Sequence, residues 1–385
     1  MTEQTQPVEQ AAAAPATGAA AVEWLRERAW IAGWWLVGRA AVFVTAFVVG
    51  KVGPRGYIGH DERTHVFGLL VSWDGHWYKR VAEHGYLLPP GRQADPAFFP
   101  LYPMLLRAVH AVGLSWTAAE TVVPNLLLLV ALAAFHALTR ALLGDELARR
   151  ATVYAAIFPI SYVFSMSYPE SLVLASMSFA ALAALRGRWG QVAFWGAVGA
   201  LARPEGAFVA LPLLALAWRE RSASPHRRGL ALGAAVAPVA ALAAYPLYLW
   251  TALGDPFAYG KAQSQWQRHF SPLGLLHSFE HLPHAFGQSA WIVRDLGALF
   301  LYLLLLALAL RAGAPLAWIL AGLVVVVLPP FSGSFASIAR FGLLVPPVFW
   351  GLAKAGGGRR ADRAIRVLSV ALLVAATATV PLSYP

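Results

Sequence analysis

The chain has 385 residues, of which 58% are hydrophobic and only 13% charged, and its mean hydropathy is +0.58. A soluble domain carries about 25% charged residues, so about half the charge that a solvated surface needs is missing and a soluble fold is excluded. The net charge of +11 gives no reason to expect a nucleic-acid partner, because the basic residues are scattered among short segments between apolar runs. That distribution suits membrane topology and contact with anionic lipid headgroups.

In chain order, residues 1–22 are rich in Ala, Gln, Thr and Pro and read as a disordered cytoplasmic tail. They lack the basic n-region of a signal peptide. Residues 23–385 read as a single multi-span membrane domain. Its first span, residues 30–50, follows Arg26 and Arg28 and is an uncleaved anchor. Residues 51–115 hold most of the aspartates, histidines and turn residues of the first half and form a first extracytoplasmic loop. Further spans are expected at 116–138, 151–167 and 170–185, then a split pair at 189–202 and 205–218, then 229–250, 296–310, 316–331, 341–353 and 365–380. Residues 254–294 form a second outer loop and 332–340 a short third one. Crossing a ~30 Å hydrocarbon core takes about 20 apolar residues, so the expected fold is an all-α polytopic membrane protein with about ten or eleven transmembrane helices. No repeat relates its two halves.

Arginines orient these spans. Arg140, Arg149 and Arg150 share one loop, Arg186 and Arg188 another, Arg219, Arg221, Arg227 and Arg228 a third, and Lys354, Arg359, Arg360, Arg363 and Arg366 a fourth. The positive-inside rule puts all four in the cytoplasm with the N-terminus, and the polar loops face outward. Lysine is confined to Lys51, Lys79, Lys261 and Lys354 in an Ala-rich chain, which points to a GC-rich bacterial genome and a bacterial plasma membrane. Cysteine is absent, excluding disulfides and thiolate chemistry.

The candidate chemistry lies in the outer segments. In Ser72-Trp73-Asp74-Gly75-His76-Trp77-Tyr78, the residues Trp73, Trp77 and Val81 recur at helical spacing, which predicts an amphipathic helix on the outer leaflet. Asp74 falls in its first turn, where the dipole favours a carboxylate; it is either a base facing a cavity or an ordinary first-turn acid. The run Ala97-Phe98-Phe99-Pro100-Leu101-Tyr102-Pro103 returns aromatically to the membrane. Glu170 follows Pro169 at a helix start. The arms flanking Arg203 rise only about 21 Å each at 1.5 Å per residue, so Arg203 and Glu205 are expected within the membrane's thickness. There they either pair with each other or line a water-filled cavity. Arg340 is expected at an outer helix start, where a cation opposes the dipole and a phosphate would hold it. Histidines cluster outside: His60, His65, His76 and His84, then His269, His277, His281 and His284. His277 and His281 stand at i,i+4, a spacing compatible with metal but with no HExxH. No Walker A, GxGxxG, GxSxG or CxxC motif is present, so an enzyme here would need a pre-activated, lipid-borne substrate.

Taken together these segments resemble the GPI mannosyltransferase II (PIG-V) family. Trp73-Asp74, Ala82-Glu83-His84-Gly85-Tyr86 and the 97–103 run look like that family's first lumenal loop, and Tyr168-Pro169-Glu170-Ser171-Leu172 is similar to its Tyr-Ser-Glu-Ser-Leu segment. Ala202-Arg203-Pro204-Glu205-Gly206 stands at its Arg-rich turn. Gly254-Asp255-Pro256-Phe257 followed by Gln263 and Trp266 looks like its bacterial branch. The resemblance implies a GT-C glycosyltransferase fold whose extracytoplasmic loops bear interfacial helices. It implies a polyprenyl-phosphate sugar donor, most simply mannose, and a lipid, glycan or protein acceptor, with membrane lipid around it. Asp74 becomes the expected catalytic base, and His76, Tyr78, Glu83, His84, Glu170, Arg203, Glu205, Gln263, Trp266 and Arg340 the expected substrate contacts. No cofactor is expected, and a divalent metal is not indicated. The alternatives are a GT-C transferase for glucose or a pentose and, from a different class, a lipid-linked sugar flippase or transporter. A transporter would be expected to show repeats and mid-membrane polar residues.

Overall fold

A computed structural model of the chain describes residues 18–52, 67–280, 282 and 290–382, and its regular structure is helical throughout, with no strand among the described residues. Most of the expected tail lies outside these residues, and helix α1 (Gly18–Val52) already begins at Gly18. Three other long helices follow the apolar runs: α4 (Trp116–Leu143), α9 (Pro225–Leu253) and α12 (Ala290–Arg311). Their starts carry conventional signals. The Ser115 hydroxyl accepts from the Ala118 amide at 3.3 Å and the Ser224 hydroxyl from the Arg227 amide at 3.4 Å, with Pro225 in the first turn. Gly254, at φ +71°, ends α9 in the left-handed conformation that glycine adopts without steric cost.

Among the described residues, Val22–Val52, Trp116–Leu143, Pro225–Leu253 and Trp291–Arg311 are each long and apolar enough to cross a bilayer. A fifth candidate is bent. Ile338–Leu344 and Pro346–Ala355 meet at 88°, where the Pro346-Pro347 pair cannot continue the preceding helical hydrogen bonds. The other expected spans are shorter pieces, except 365–380, which falls in the 20-residue helix Arg359–Ala378 with its arginine-rich start. The 151–167 run is broken: α5 (Asp145–Ile157) stops before Phe158-Pro159, and Ser161–Ser165 winds as a separate 3-10 turn. Helices α6 (Glu170–Leu185), α7 (Trp189–Ala202) and α13 (Leu316–Val327) are apolar but fall short of a full crossing. Nearly every residue of α6 is covered by protein, so its apolar character serves the interior of the bundle rather than a lipid contact.

The layers follow from the packing. Helix α6 lies between α4 and α7, and α9 covers α7; α12 packs on α15 (Pro346–Ala355), which in turn packs on α5, while α1 packs on α16 (Arg359–Ala378). Small residues bring backbones together, as in membrane bundles. A Cβ on Gly351 would meet the Leu305 carbonyl oxygen at 1.9 Å, so α12 and α15 touch main chain to main chain. Leu36 and Val44 on α1, Val239 and Leu247 on α9, and Phe300 and Leu304 on α12 stay exposed, as lipid-facing residues would. At one end of the bundle Tyr154 donates to Asp362 at 2.7 Å, Arg366 pairs with the same carboxylate, and Arg150 donates to the Ala353 carbonyl at 3.1 Å. Two of the arginine-rich segments therefore share that end.

Arg39, inside the first apolar run, is fully buried. Its guanidinium donates to the Ser161 carbonyl at 2.9 Å, the Ser165 hydroxyl at 2.5 Å and the Ala156 carbonyl at 3.2 Å. Its bond to the Ala156 carbonyl takes up one acceptor left free where α5 ends before Pro159. Arg39→Met is expected to lower stability by at least about 3 kcal/mol, since a hydrogen bond to a charged group is worth about 1.5–3 kcal/mol. Thermal unfolding in detergent checks this, and an unchanged midpoint would count against it.

Candidate functional site

The 51–115 segment is described from residue 67 onward. It contains α2 (Asp74–His84), a 3-10 turn at Asp95–Ala97 and α3 (Leu101–Ala111). The expected stripe of Trp73, Trp77 and Val81 is corrected by the structure. Trp73 stands outside the helix as its N-cap, and the buried face is Asp74, Gly75, Tyr78, Val81 and Ala82. That i, i+4 face turns a carboxylate and a phenol inward, so α2 sits on protein rather than lying with an apolar stripe on lipid. A Cβ on Gly75 would come within 3.2 Å of the Ser167 Cβ, which measures how closely the helix is seated.

Asp74 meets residues from two distant segments. Its Oδ2 accepts from Arg340 at 2.7 Å, and its backbone N–H donates to the Tyr168 hydroxyl at 3.1 Å. Arg340 Nε also lies 3.3 Å from Glu170 Oε1, the oxygen that Arg203 engages as well. Arg203 then binds Glu205 through two parallel contacts of 3.0 and 3.2 Å, the bidentate geometry that guanidinium favours. Three carboxylates and two guanidiniums thus form one continuous buried cluster with Glu170 at its centre. The arginines also stack on aromatic faces: Arg340 lies 5.1 Å from the Tyr168 ring and Arg203 5.1 Å from the Phe341 ring.

Local backbone geometry aims these groups. Pro204 keeps Arg203 extended, at φ −157° and ψ 148°, so α7 ends there and the side chain leaves the bundle axis. Gly206 fits because a Cβ would strike the Gly199 carbonyl oxygen at 2.2 Å. Arg340 was expected at the start of a long helix, held by phosphate. It lies in the single-turn helix α14 (Ile338–Phe341), where carboxylates hold it. Asp295 fixes that short helix by accepting from the Ser337 and Ala339 amides at 2.9 and 3.0 Å, and the Tyr302 hydroxyl donates to the Ala339 carbonyl at 2.6 Å. Among the described residues the non-glycine positive-φ positions are Trp73, Gln267 and Ser337. Each is next to or between residues that line the cavity described below. Backbone strain of this kind collects at functional sites.

The cluster forms one wall of a cavity of about 670 Å³, a volume within the range of small-molecule sites. Asp74, Arg203, Glu205 and Arg340 supply its polar wall, and Phe208, Leu242, Val325 and Leu328 an apolar one. Helix α10 (Ala258–Gln265) and the residues after it bring Tyr259, Gln263, Trp266 and Arg268 to the cavity. Phe98 and Trp266 meet edge to face at 5.6 Å, and Trp77 stacks on Phe98 at 5.7 Å. Burial pushes the Tyr78 phenol well above its usual range and the Tyr259 phenol up to about 12. Both therefore present neutral hydroxyls at physiological pH.

Of the residues expected from sequence, Asp74, Tyr78, Arg203, Glu205, Gln263, Trp266 and Arg340 line this cavity, and Glu170 lies directly behind it. His76, Glu83 and His84 do not line it. They occupy the opposite face of α2, where Glu83 contacts Lys79 at 3.9 Å and His84 at 3.8 Å. His269 lines the cavity and His277 is exposed on α11 (Gly274–Glu280), while His60, His65, His281 and His284 lie outside the described residues. No group of three or more His, Asp or Glu side chains suited to a metal ion occurs among the described residues. The choice between a pair and a cavity lining for Arg203 and Glu205 dissolves, because they do both. Sequence reasoning missed Asp295, Tyr168 and Phe341. A carboxylate at the head of an apolar helix was the one available signal for Asp295.

No protein-family model matches the sequence, and no curated protein matches it.

Proposed function

We propose that the protein is a membrane glycosyltransferase of the GT-C type that moves a sugar, mannose in the first instance, from a polyprenyl phosphate to an acceptor hydroxyl. The observation that carries this reading is the Asp74 carboxylate in the wall of a cavity that is polar on one side and apolar on the other. A lipid-linked sugar has that same division. The resemblance of the 73–103 segment to GPI mannosyltransferase II adds the reaction type. The reading takes the shorter apolar helices as completing about ten or eleven crossings. It places the arginine-rich segments and the N-terminus in the bacterial cytoplasm and the cavity on the outer face.

In the proposed step the acceptor oxygen attacks the anomeric carbon, its proton passes to Asp74, and the bond from that carbon to the phosphate oxygen breaks. The electron pair leaves with the polyprenyl phosphate, which is already a good leaving group and needs no general acid. Positioning a carboxylate base contributes about 10²–10⁴ in rate. Arg203 and Arg340 are already fixed by carboxylates in the free protein, and uptake of the acceptor proton by Asp74 removes the cluster's one excess negative charge as the phosphate departs, so the guanidinium donors need not be assembled for that step.

The test is transfer of label from polyprenyl-phosphate mannose into lipid extract or membrane glycan, using purified protein in vesicles. Labelled product is expected with mannose donor and not with nucleotide sugars. Failure of mannose, glucose and pentose donors alike would remove the transferase reading. Movement of the intact lipid-linked sugar across the vesicle membrane would replace it with transport.

A further inference from the structure

Behind the cavity, four buried polar atoms make no hydrogen bond of good geometry among the described residues: Glu170 Oε2, the Tyr102 hydroxyl, the Ser167 hydroxyl and Glu120 Oε1. They are not scattered. Tyr102 and Glu120 both lie within loose hydrogen-bonding reach of the Ser167 hydroxyl, Tyr102 also faces Glu170 and Glu120, and Glu120 faces Lys79 and Glu83. The series starts at the carboxylate shared by Arg203 and Arg340. It ends beside Lys79 and Glu83, whose side chains are 34% and 27% exposed, so it links the site to the surface behind α2.

Leaving such an atom unsatisfied is costly, and apolar side chains of the same shape would pack these positions without that cost. A carboxylate inside the apolar helix α4 is more expensive still and marks function by default. Buried polar atoms that converge without a well-formed hydrogen bond are normally bridged by ordered water, each water joining two to four of them. Burial holds the Tyr102 phenol well above its usual range, so it stays neutral and able both to accept and to donate.

We propose that these groups form a water-bridged proton path, running from Asp74 through Glu170, Tyr102 and Ser167 to Glu120 and out beside Lys79 and Glu83. The inference rests on the transferase reading. With donor and acceptor in place the cavity is filled, and the proton taken by Asp74 needs an exit that does not cross the substrates. It moves through water from Asp74 to Glu170. Tyr102 and Ser167 each accept one proton and release another, and Glu120 passes one to solvent. Asp74 is returned to its carboxylate form, and one proton leaves per sugar transferred.

The experiment measures sugar transfer and donor binding on Glu120→Gln and Tyr102→Phe proteins, with and without added small buffer acids such as imidazole or formate. Both variants are expected to lose at least about tenfold in turnover while donor affinity stays within a few-fold. Added buffer should restore much of the loss, which repair of a merely structural defect would not do. Wild-type turnover in both variants, or a loss that no buffer restores, overturns the path. Tyr102→Phe removes one hydroxyl and keeps the ring, so it answers the question even if Glu120→Gln fails to fold. Absence of transfer by the wild-type protein overturns the transferase reading and the path with it, whereas wild-type transfer with unaffected variants overturns the path alone.

Discussion

Asp74→Asn protein is expected to insert and fold, to bind donor nearly normally, and to turn over about 10²–10⁴ times more slowly. The substitution keeps the size of the side chain and one carbonyl oxygen toward Arg340, but it removes the basic oxygen that takes the acceptor proton. The competing account treats Asp74 as a first-turn charge. It predicts a loss of about 0.3–1 kcal/mol of stability from the helix dipole and near-normal turnover. The ion pair with Arg340 at 2.7 Å makes a larger stability loss expected than the dipole alone would give. Arg340 keeps its contact with Glu170, so it is not left as an uncompensated charge. Turnover, donor binding and thermal unfolding must therefore be measured on the same preparation. Transfer within a few-fold of wild type would rule out the base assignment. Joint loss of binding and transfer would assign Asp74 to donor recognition, with Glu205 the next acid on the cavity wall.

The elements that can be read in the sequence are those punctuated by local chemistry. Helix α7 has the expected bounds of 189 and 202 because Pro204 forces Arg203 out of helical conformation. The Arg203 turn stands out because charges are costly between apolar arms. What escaped is long-range or hidden in context. The partners of Glu170 lie 33 and 170 residues away along the chain, and no spacing rule reaches that far. Arg39 sits in an apolar run whose hydropathy conceals it, and its partners are main-chain carbonyls and serines of another segment. The error on α2 has a specific cause. The tryptophan spacing marks Trp73 and Trp77, whereas the face that packs on protein carries Asp74 and Tyr78 among Gly75, Val81 and Ala82. For the same reason His76, Glu83 and His84, although neighbours of Asp74 in sequence, point away from it.

The broken spans have a similar explanation. Hydropathy does not distinguish a helix facing lipid from one enclosed by other helices. Helix α6 is apolar because α4 and α7 cover it, and it can therefore begin with a fully buried Glu170 at the level of the cavity. Counting apolar runs finds such helices, but it does not establish which of them reach both surfaces.

Arg203→Gln is expected to be the most damaging single neutral substitution in the cluster, costing about 3–5 kcal/mol. In the wild-type cluster Asp74, Glu170 and Glu205 face Arg203 and Arg340. Without Arg203, those three carboxylates share one guanidinium, and Glu205 loses both of its contacts. Adding Glu205→Gln to Arg203→Gln removes the stranded charge and returns the balance to one excess carboxylate, as in wild type. The double variant is therefore expected to recover a large part of the lost stability, because joint removal of a buried pair is tolerated better than removal of one member. Thermal unfolding of both variants in the same detergent gives the comparison. If the double variant is no more stable than Arg203→Gln alone, Arg203 is held mainly by Glu170 and Phe341 rather than by Glu205. Activity separates the pair's two roles. Because Arg203 and Glu205 also line the cavity, the stabilised double variant should still transfer sugar poorly; a double variant that folds and works like wild type would make the pair structural only.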